Sequence, residues 1–172
     1  MTAEILDGEL YALPRPARPH TRSASRLALC IGGAFDLGRG GPGGWVILFE
    51  PELRLGSSSD RMVPDMAGWR RENLSDAFGD ETTPAFYDQA PDWVCEVISP
   101  GTERVDRGKK MRIYRREGVK HLWLLTPLLQ TLEVYRLTNG QWLLLETYEG
   151  SAVVQAEPFG EIELDLSTLW AK

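Results

Sequence analysis

The chain is short of cysteine and histidine, has no long apolar run and carries no surplus of positive charge. Each shortage removes a class of function. No apolar run approaches the roughly 20 residues that a membrane span needs. The opening Met1-Thr2-Ala3-Glu4-Ile5 has no basic stretch followed by an apolar core, so no secretory signal is visible and the cytoplasm is the expected location. Two cysteines (Cys30, Cys95) and two histidines (His20, His121) stand without close ligand spacing, which argues against a structural zinc site. Both cysteines sit inside apolar patterns and are expected to be buried, reduced thiols. A net charge of −6 argues against a protein that coats nucleic acid non-specifically. It leaves room for an enzyme whose basic groups are confined to one cleft. Eight Arg and Lys between Arg104 and Lys120 form the main basic concentration.

What is present fits one domain spanning residues 1–172, with an ordinary globular composition of 42% hydrophobic and 26% charged residues. Two short apolar runs, each interrupted by one carboxylate, organise it. In a strand alternate side chains share a face, so Val63, Asp65 and Ala67 line one side of the first run. Val94, Glu96 and Ile98 line one side of the second, with Trp93, Cys95 and Val97 on the other, and that strand reads as buried on both faces. A carboxylate there is costly to desolvate unless something cationic neutralises it. A divalent metal would do so where two carboxylates converge. Lys109 or Lys110, on the next predicted helix, could bring an ammonium to the same place.

The rest of the chain supplies a frame for these runs. Glu4 to Tyr11 reads as a hairpin turning on Asp7-Gly8. Ala24, Leu27, Ile31 and Ala34 predict a helix over 20–37, with Thr21 or Ser23 available as its N-cap. The glycine-rich 38–44 stretch lacks a lysine and a following helix, so it is not a phosphate-cradling loop. Strands are expected at 45–49 and 52–55, and a long surface excursion, such as a flap over a site, at 70–89. A helix over 105–117 places Met111, Tyr114 and Arg107 on one stripe, and Gly118 ends it. A buried strand at 120–125 follows. An Asn139-Gly140 hairpin joins 132–137 to 142–148, and short strands and one helical turn close the chain. Alternating strands and helices followed by a β-rich tail predict an α/β or α+β fold with a mixed sheet.

Pro64-Asp65 and Glu96 on strands and Lys110 on a helix resemble the restriction-endonuclease-like superfamily with its PD…(D/E)xK hallmark. More specifically, the chain is similar to the Uma2 family of bacterial endonucleases. The resemblance rests on Asp7-Gly8-Glu9-Leu10, Val63-Pro64-Asp65, and Pro91-Asp92-Trp93-Val94-Cys95-Glu96-Val97-Ile98-Ser99-Pro100. Further segments are Asp106…Lys110…Tyr114, Glu117-Gly118-Val119 and Leu122-Trp123-Leu124-Leu125-Thr126-Pro127. It covers most of the chain, in order. The third hallmark position, two residues after Glu96, is Ile98, and in this family the lysine comes from the following helix, where Lys110 fits better than Lys109. Relatives usually carry a segment ahead of the opening hairpin, whereas this sequence begins almost at it.

The resemblance implies a restriction-endonuclease-like core, with a mixed central β-sheet flanked by helices and a β-rich C-terminal extension. It further implies a metal-dependent endonuclease acting on DNA, in which Asp65 and Glu96 hold Mg²⁺ or Mn²⁺ through hard oxygen ligands. Lys110 would assist the attacking water or stabilise charge on phosphorus. Glu9 is the candidate extra ligand, because Asp7 has a sufficient role in the turn. His20 stands where the family often has a histidine; it could contact a phosphate or just start the first helix, and the second role is favoured, while Trp69, Trp93, Trp123 and Tyr114 are expected to pack. Restriction-like nucleases often pair, and edge strands of the tail could join a homodimer. The alternative is a nuclease-fold protein that no longer cuts and serves as a nucleic-acid-binding or assembly module. Negative charge and the lack of a DNA-reading element favour that alternative, and the intact Asp65, Glu96, Lys110 set favours the enzyme. A metal-free acid–base hydrolase using the two carboxylates is a third reading, and it leaves Lys110 unexplained.

Overall fold

The computed structural model describes residues 2–14, 17–58, 60–78 and 85–171. The opening hairpin pairs β1 (Thr2–Leu6) with β2 (Glu9–Leu13). Its turn residues Asp7 and Gly8 both take positive φ, 52° and 77°, which is why Asp-Gly suits this turn. Helix α1 (Arg18–Ile31) begins earlier than the sequence pattern predicts, from Ala17 rather than from Thr21 or Ser23. Pro19 occupies its first turn, where a missing N–H is no loss. Thr21 instead donates its hydroxyl back to the Ala17 carbonyl, and buried Ser23 donates to the Leu169 carbonyl. A π turn over Gly32–Asp36 continues the helix.

A six-stranded sheet carries the fold, in the order β3 (Trp45–Phe49), β4 (Met66–Arg70), β5 (Trp93–Val97), β6 (His121–Thr126), β7 (Thr131–Thr138) and β8 (Gln141–Glu149). β5 and β6 are parallel and the other neighbours antiparallel, so the sheet is mixed, as the sequence predicts. A parallel pair needs a crossover. Here it consists of α2 (Glu103–Val105), a π turn (Asp106–Lys110) and α3 (Met111–Arg116). The π turn replaces part of the expected continuous helix. It leaves Asp106, Lys110, Ile113 and Tyr114 buried, whereas Arg107 and Met111 are only half-buried. The chain ends in a small sheet of β9 (Val153–Val154) and β10 (Leu164–Asp165), followed by α4 (Ser167–Trp170).

Residues 52–55 do not form a ladder strand. Leu53 makes only isolated bridges to Met62 and Tyr87, so the alternation there reports the burial of Leu53 and Leu55, not sheet membership. Part of the predicted excursion, 79–84, lies outside the described residues, but Phe78 and Tyr87 on its flanks pack on Trp69 with ring centroids 5.2 and 5.3 Å away.

The predicted two-sided burial of β5 decides the layering. Trp93, Cys95 and Val97 join Leu27, Ile31, Phe35 and Phe159 in one core beneath α1. Val94 and Ile98 join Leu6, Met62, Ile113 and Tyr114 in a second core beneath the hairpin and α3. Glu96 therefore points toward α3, from near the carboxyl end of the parallel pair, where open sheets place ligand sites.

Candidate active site

A cavity of about 90 Å³ opens at that end of the sheet, lined by Asp65, Glu96 and Lys110 together with Glu4, His20 and Asp106. Asp65 stands just before β4. Because Met66 pairs with Cys95, it lies beside the end of β5 and accepts the Val97 N–H on Oδ2 at 2.7 Å. Lys110 reaches in from the π turn. Its Nζ lies 3.0 Å from Glu96 Oε1, 3.1 Å from Glu4 Oε1 and 3.7 Å from Asp106 Oδ1, and the side chain is 2% exposed. The Tyr114 hydroxyl donates to the same Glu96 Oε1 at 2.5 Å, so this tyrosine does more than the packing expected of it.

Glu9 is not brought to this cavity. Its side chain is exposed on β2, where it pairs with Lys109 and accepts the Tyr11 hydroxyl. The hairpin contributes Glu4 instead, whose Oε1 also accepts the Val63 N–H at 2.9 Å. The sequence held a signal for it: Glu4 shares a strand face with the fully buried Leu6, the same pattern that marks Glu96. Asp106, four residues before Lys110, belongs to the segments that carry the resemblance but is given no site role by the sequence, and the structure places it in the cavity.

Much of the basic concentration from Arg104 to Lys120 is taken up in ion pairs. Arg107 pairs with Glu133 and Glu103, Arg116 with Asp60, Asp7 and Glu117, Arg112 with Asp7, and Lys109 with Glu9.

Electrostatics inside the cavity are unbalanced. Burial pushes the Glu96 carboxyl well above the usual carboxylate range. Lys110 pulls against that shift, while Asp106, Asp65 and Glu4 add to it. Burial raises Asp106 too, with Lys110 opposing. Burial alone would depress Lys110, but Glu96, Glu4 and Asp106 more than offset it, and the ammonium keeps its proton. Tyr114 is raised by burial and by the carboxylate it touches, and therefore acts as a donor. One ammonium faces four carboxylates.

Residues 1–168 match the Uma2 family, described as "Putative restriction endonuclease". The chain belongs to the Uma2 family. It is also similar to a crystal structure described as "a putative nuclease belonging to DUF820" from Anabaena variabilis, at 22% identity and a TM-score of 0.78, over 98% of this chain and 89% of that one. At that identity the likeness establishes the fold. No curated protein matches the chain.

Among the described residues of this Uma2 chain, no group of three or more His, Cys, Asp and Glu side chains is arranged to hold a metal ion. The chemistry of the cavity nonetheless suits a hard divalent cation. Its donors are carboxylate oxygens, their charge exceeds what Lys110 neutralises, and Glu4 Oε2 is buried without a hydrogen-bond partner. Both hydrogen bonds to the Glu96 carboxylate fall on Oε1, and His20 and Val97 each engage one oxygen of Asp65.

Proposed function

We propose that this chain is a metal-dependent endonuclease that hydrolyses phosphodiester bonds of DNA in the cytoplasm, with residues 1–172 acting as one domain. One observation carries the reading: Asp65, Glu96 and Lys110, drawn from three separate elements, line one cavity in which carboxylates outnumber the single ammonium. In this reading Asp65 and Glu96 hold Mg²⁺ or Mn²⁺ through hard oxygens. Bound there, the ion supplies a water of lowered pKa and a counter-charge for the phosphate. Lys110, held by Glu4 and Glu96, donates a hydrogen bond to the attacking water or to a phosphate oxygen and stabilises the charge that develops there. Tyr114 keeps Glu96 aimed through its hydroxyl. Buried walls restrict water, which strengthens each of these interactions.

Titration calorimetry with Mn²⁺ tests this. Binding to the wild type that is lost in the folded Asp65→Ala, Glu96→Ala variant is the expected result, followed by plasmid cleavage that needs metal. No binding to either folded protein removes the mechanism.

A second reading, a nuclease-fold module that binds nucleic acid or a protein without cutting, is favoured by the ion pairing of Lys110, which three carboxylates within 4 Å could hold as structure alone. Metal-supported cleavage excludes it. A homodimer belongs to the endonuclease reading. β8 ends the sheet order and exposes Leu143 and Leu144, and a second copy pairing there would cover them. Light scattering on the eluting protein, with and without a Leu143→Lys, Leu144→Lys change, checks this point.

A further inference from the structure

We propose that His20 is a positioning residue for Asp65, fixing that carboxylate in the orientation in which it receives the metal. The inference rests on the metal-nuclease reading above and gives His20 a role other than the helix start or phosphate contact that the sequence suggests.

His20 lies in the first turn of α1 and is 9% exposed. Its Nε2 stands 3.1 Å from Asp65 Oδ1. The other oxygen of Asp65 accepts the Val97 N–H at 2.7 Å. One carboxylate is thus gripped on both oxygens by two elements, α1 and β5, that pack from different parts of the chain. Asp65 precedes the first ladder residue of β4; its backbone carbonyl accepts the Glu50 N–H at 3.1 Å, and the two contacts above are what orient its carboxylate. Each oxygen keeps a second lone pair, so a carboxylate held in this way can still serve as a ligand.

The other side of the ring explains why an imidazole works here. Nδ1 is buried and has no hydrogen-bond partner among the described residues. A small apolar niche of about 30 Å³, lined by Ala17, Pro19, Ile98, Pro100, Pro127 and Leu128, borders this ring. A proton on Nδ1 would meet no acceptor among the described residues, whereas a proton on Nε2 would face Asp65 Oδ1 at 3.1 Å, and this geometry favours the Nε2–H tautomer. The ring keeps a buried, unpaired nitrogen at some cost in stability. Among the described residues its ring faces Asp65. Groups that hydrogen-bond a metal-ligating side chain orient it and tune its affinity. The other histidine makes a similar contact in a different place: His121 Nε2 lies 2.7 Å from Glu157, which does not line the cavity. His121 is therefore an internal control.

The test is Mn²⁺ titration calorimetry on the wild type and on His20→Ala, His20→Gln and His121→Ala. His20→Ala is expected to weaken Mn²⁺ binding about ten- to a hundredfold. His20→Gln, whose amide N–H can reach Asp65, should recover most of the loss, and His121→Ala should bind as the wild type does. A measurement that needs no variant runs alongside: the ¹⁵N resonances of His20 in the wild type should report the Nε2–H tautomer and shift on saturation with Mg²⁺. Wild-type affinity in folded His20→Ala, no recovery in His20→Gln, or an imidazole signal unmoved by Mg²⁺ would each overturn the assignment. A wild type that binds no Mn²⁺ at all would remove the metal reading and this inference together, an outcome distinct from metal binding that is indifferent to His20.

Discussion

The two faces of β5 carry opposite chemistry. On the α1 side, Trp93 meets Trp123 and Phe159 at centroid distances of 5.4 and 4.9 Å, and Phe159 also touches Phe35 and Trp45. That face is an aromatic box with Cys95 at its wall, and burial drives the Cys95 thiol pKa well upward, as an inert structural cysteine should show. On the α3 side, one residue further along, Glu96 enters a cluster of carboxylates around Lys110. Adjacent positions of one strand thus face an apolar core and, in the proposed function, the reactive cavity. The aromatic face holds the strand rigid, so the opposite face can keep an electrostatically unbalanced group that would otherwise loosen the fold.

The sharpest way to break this comparison is to truncate one residue on each face. Lys110→Ala leaves three carboxylates without their shared ammonium, so it should destabilise the metal-free protein by about 3–5 kcal/mol and lower cleavage by about 10²–10⁴-fold. Phe159→Ala opens a cavity among four aromatic rings and should also lose about 3–5 kcal/mol. Its Mn²⁺ affinity per folded molecule should stay at the wild-type level. Chemical denaturation together with titration calorimetry separates the two. If Phe159→Ala changes metal affinity as strongly as Lys110→Ala, the faces are not independent.

A change of pH sharpens the contrast at a smaller scale. Glu96 has a folded pKa well above its ordinary value of 4.5. Its contribution is therefore fully present below about pH 4.5 and is lost as pH rises through the folded pKa, because the unfolded chain ionises first. Metal-free stability should thus decline on this account from about pH 4.5 upward. Saturating Mg²⁺, which favours the ionised carboxylate, should oppose the decline and stabilise more at pH 8 than at pH 5. Melting curves with and without Mg²⁺ across that range check the sign.

The smallest effect is expected at the hairpin carboxylate that lies away from the cavity. Glu9→Ala removes an exposed pair with Lys109 and should change stability by less than about 1 kcal/mol. Cleavage should be unaffected. Glu4→Ala, in contrast, takes a partner from Lys110 and an acceptor from the Val63 N–H, and should impair both stability and cleavage. Equal behaviour of the two variants would refute the assignment of Glu4 to the site.

Much of this protein is determined locally. Period-two alternation at 93–98 assigns Glu96 to one face of β5 and Trp93, Cys95 and Val97 to the other. Asp-Gly and Asn-Gly fix two hairpins, since their residues adopt the positive φ that such turns require. The resemblance carried by Pro64-Asp65, Glu96 and Lys110 picks out three residues that the fold brings to one cavity. What remained to the tertiary structure was partnership. Alternation with Leu6 hints that Glu4 faces inward, but the packing of the hairpin against residues 60–63 decides what it meets there, the Val63 N–H and Lys110. The Tyr114 hydroxyl on Glu96 and His20 beside Asp65 are likewise contacts between separate segments, and the π turn that buries Asp106 four residues before Lys110 is a local departure that helical periodicity does not report. Periodicity reports which face a side chain occupies. Which charge it meets there depends on elements that come together only when the sheet and its crossover have formed.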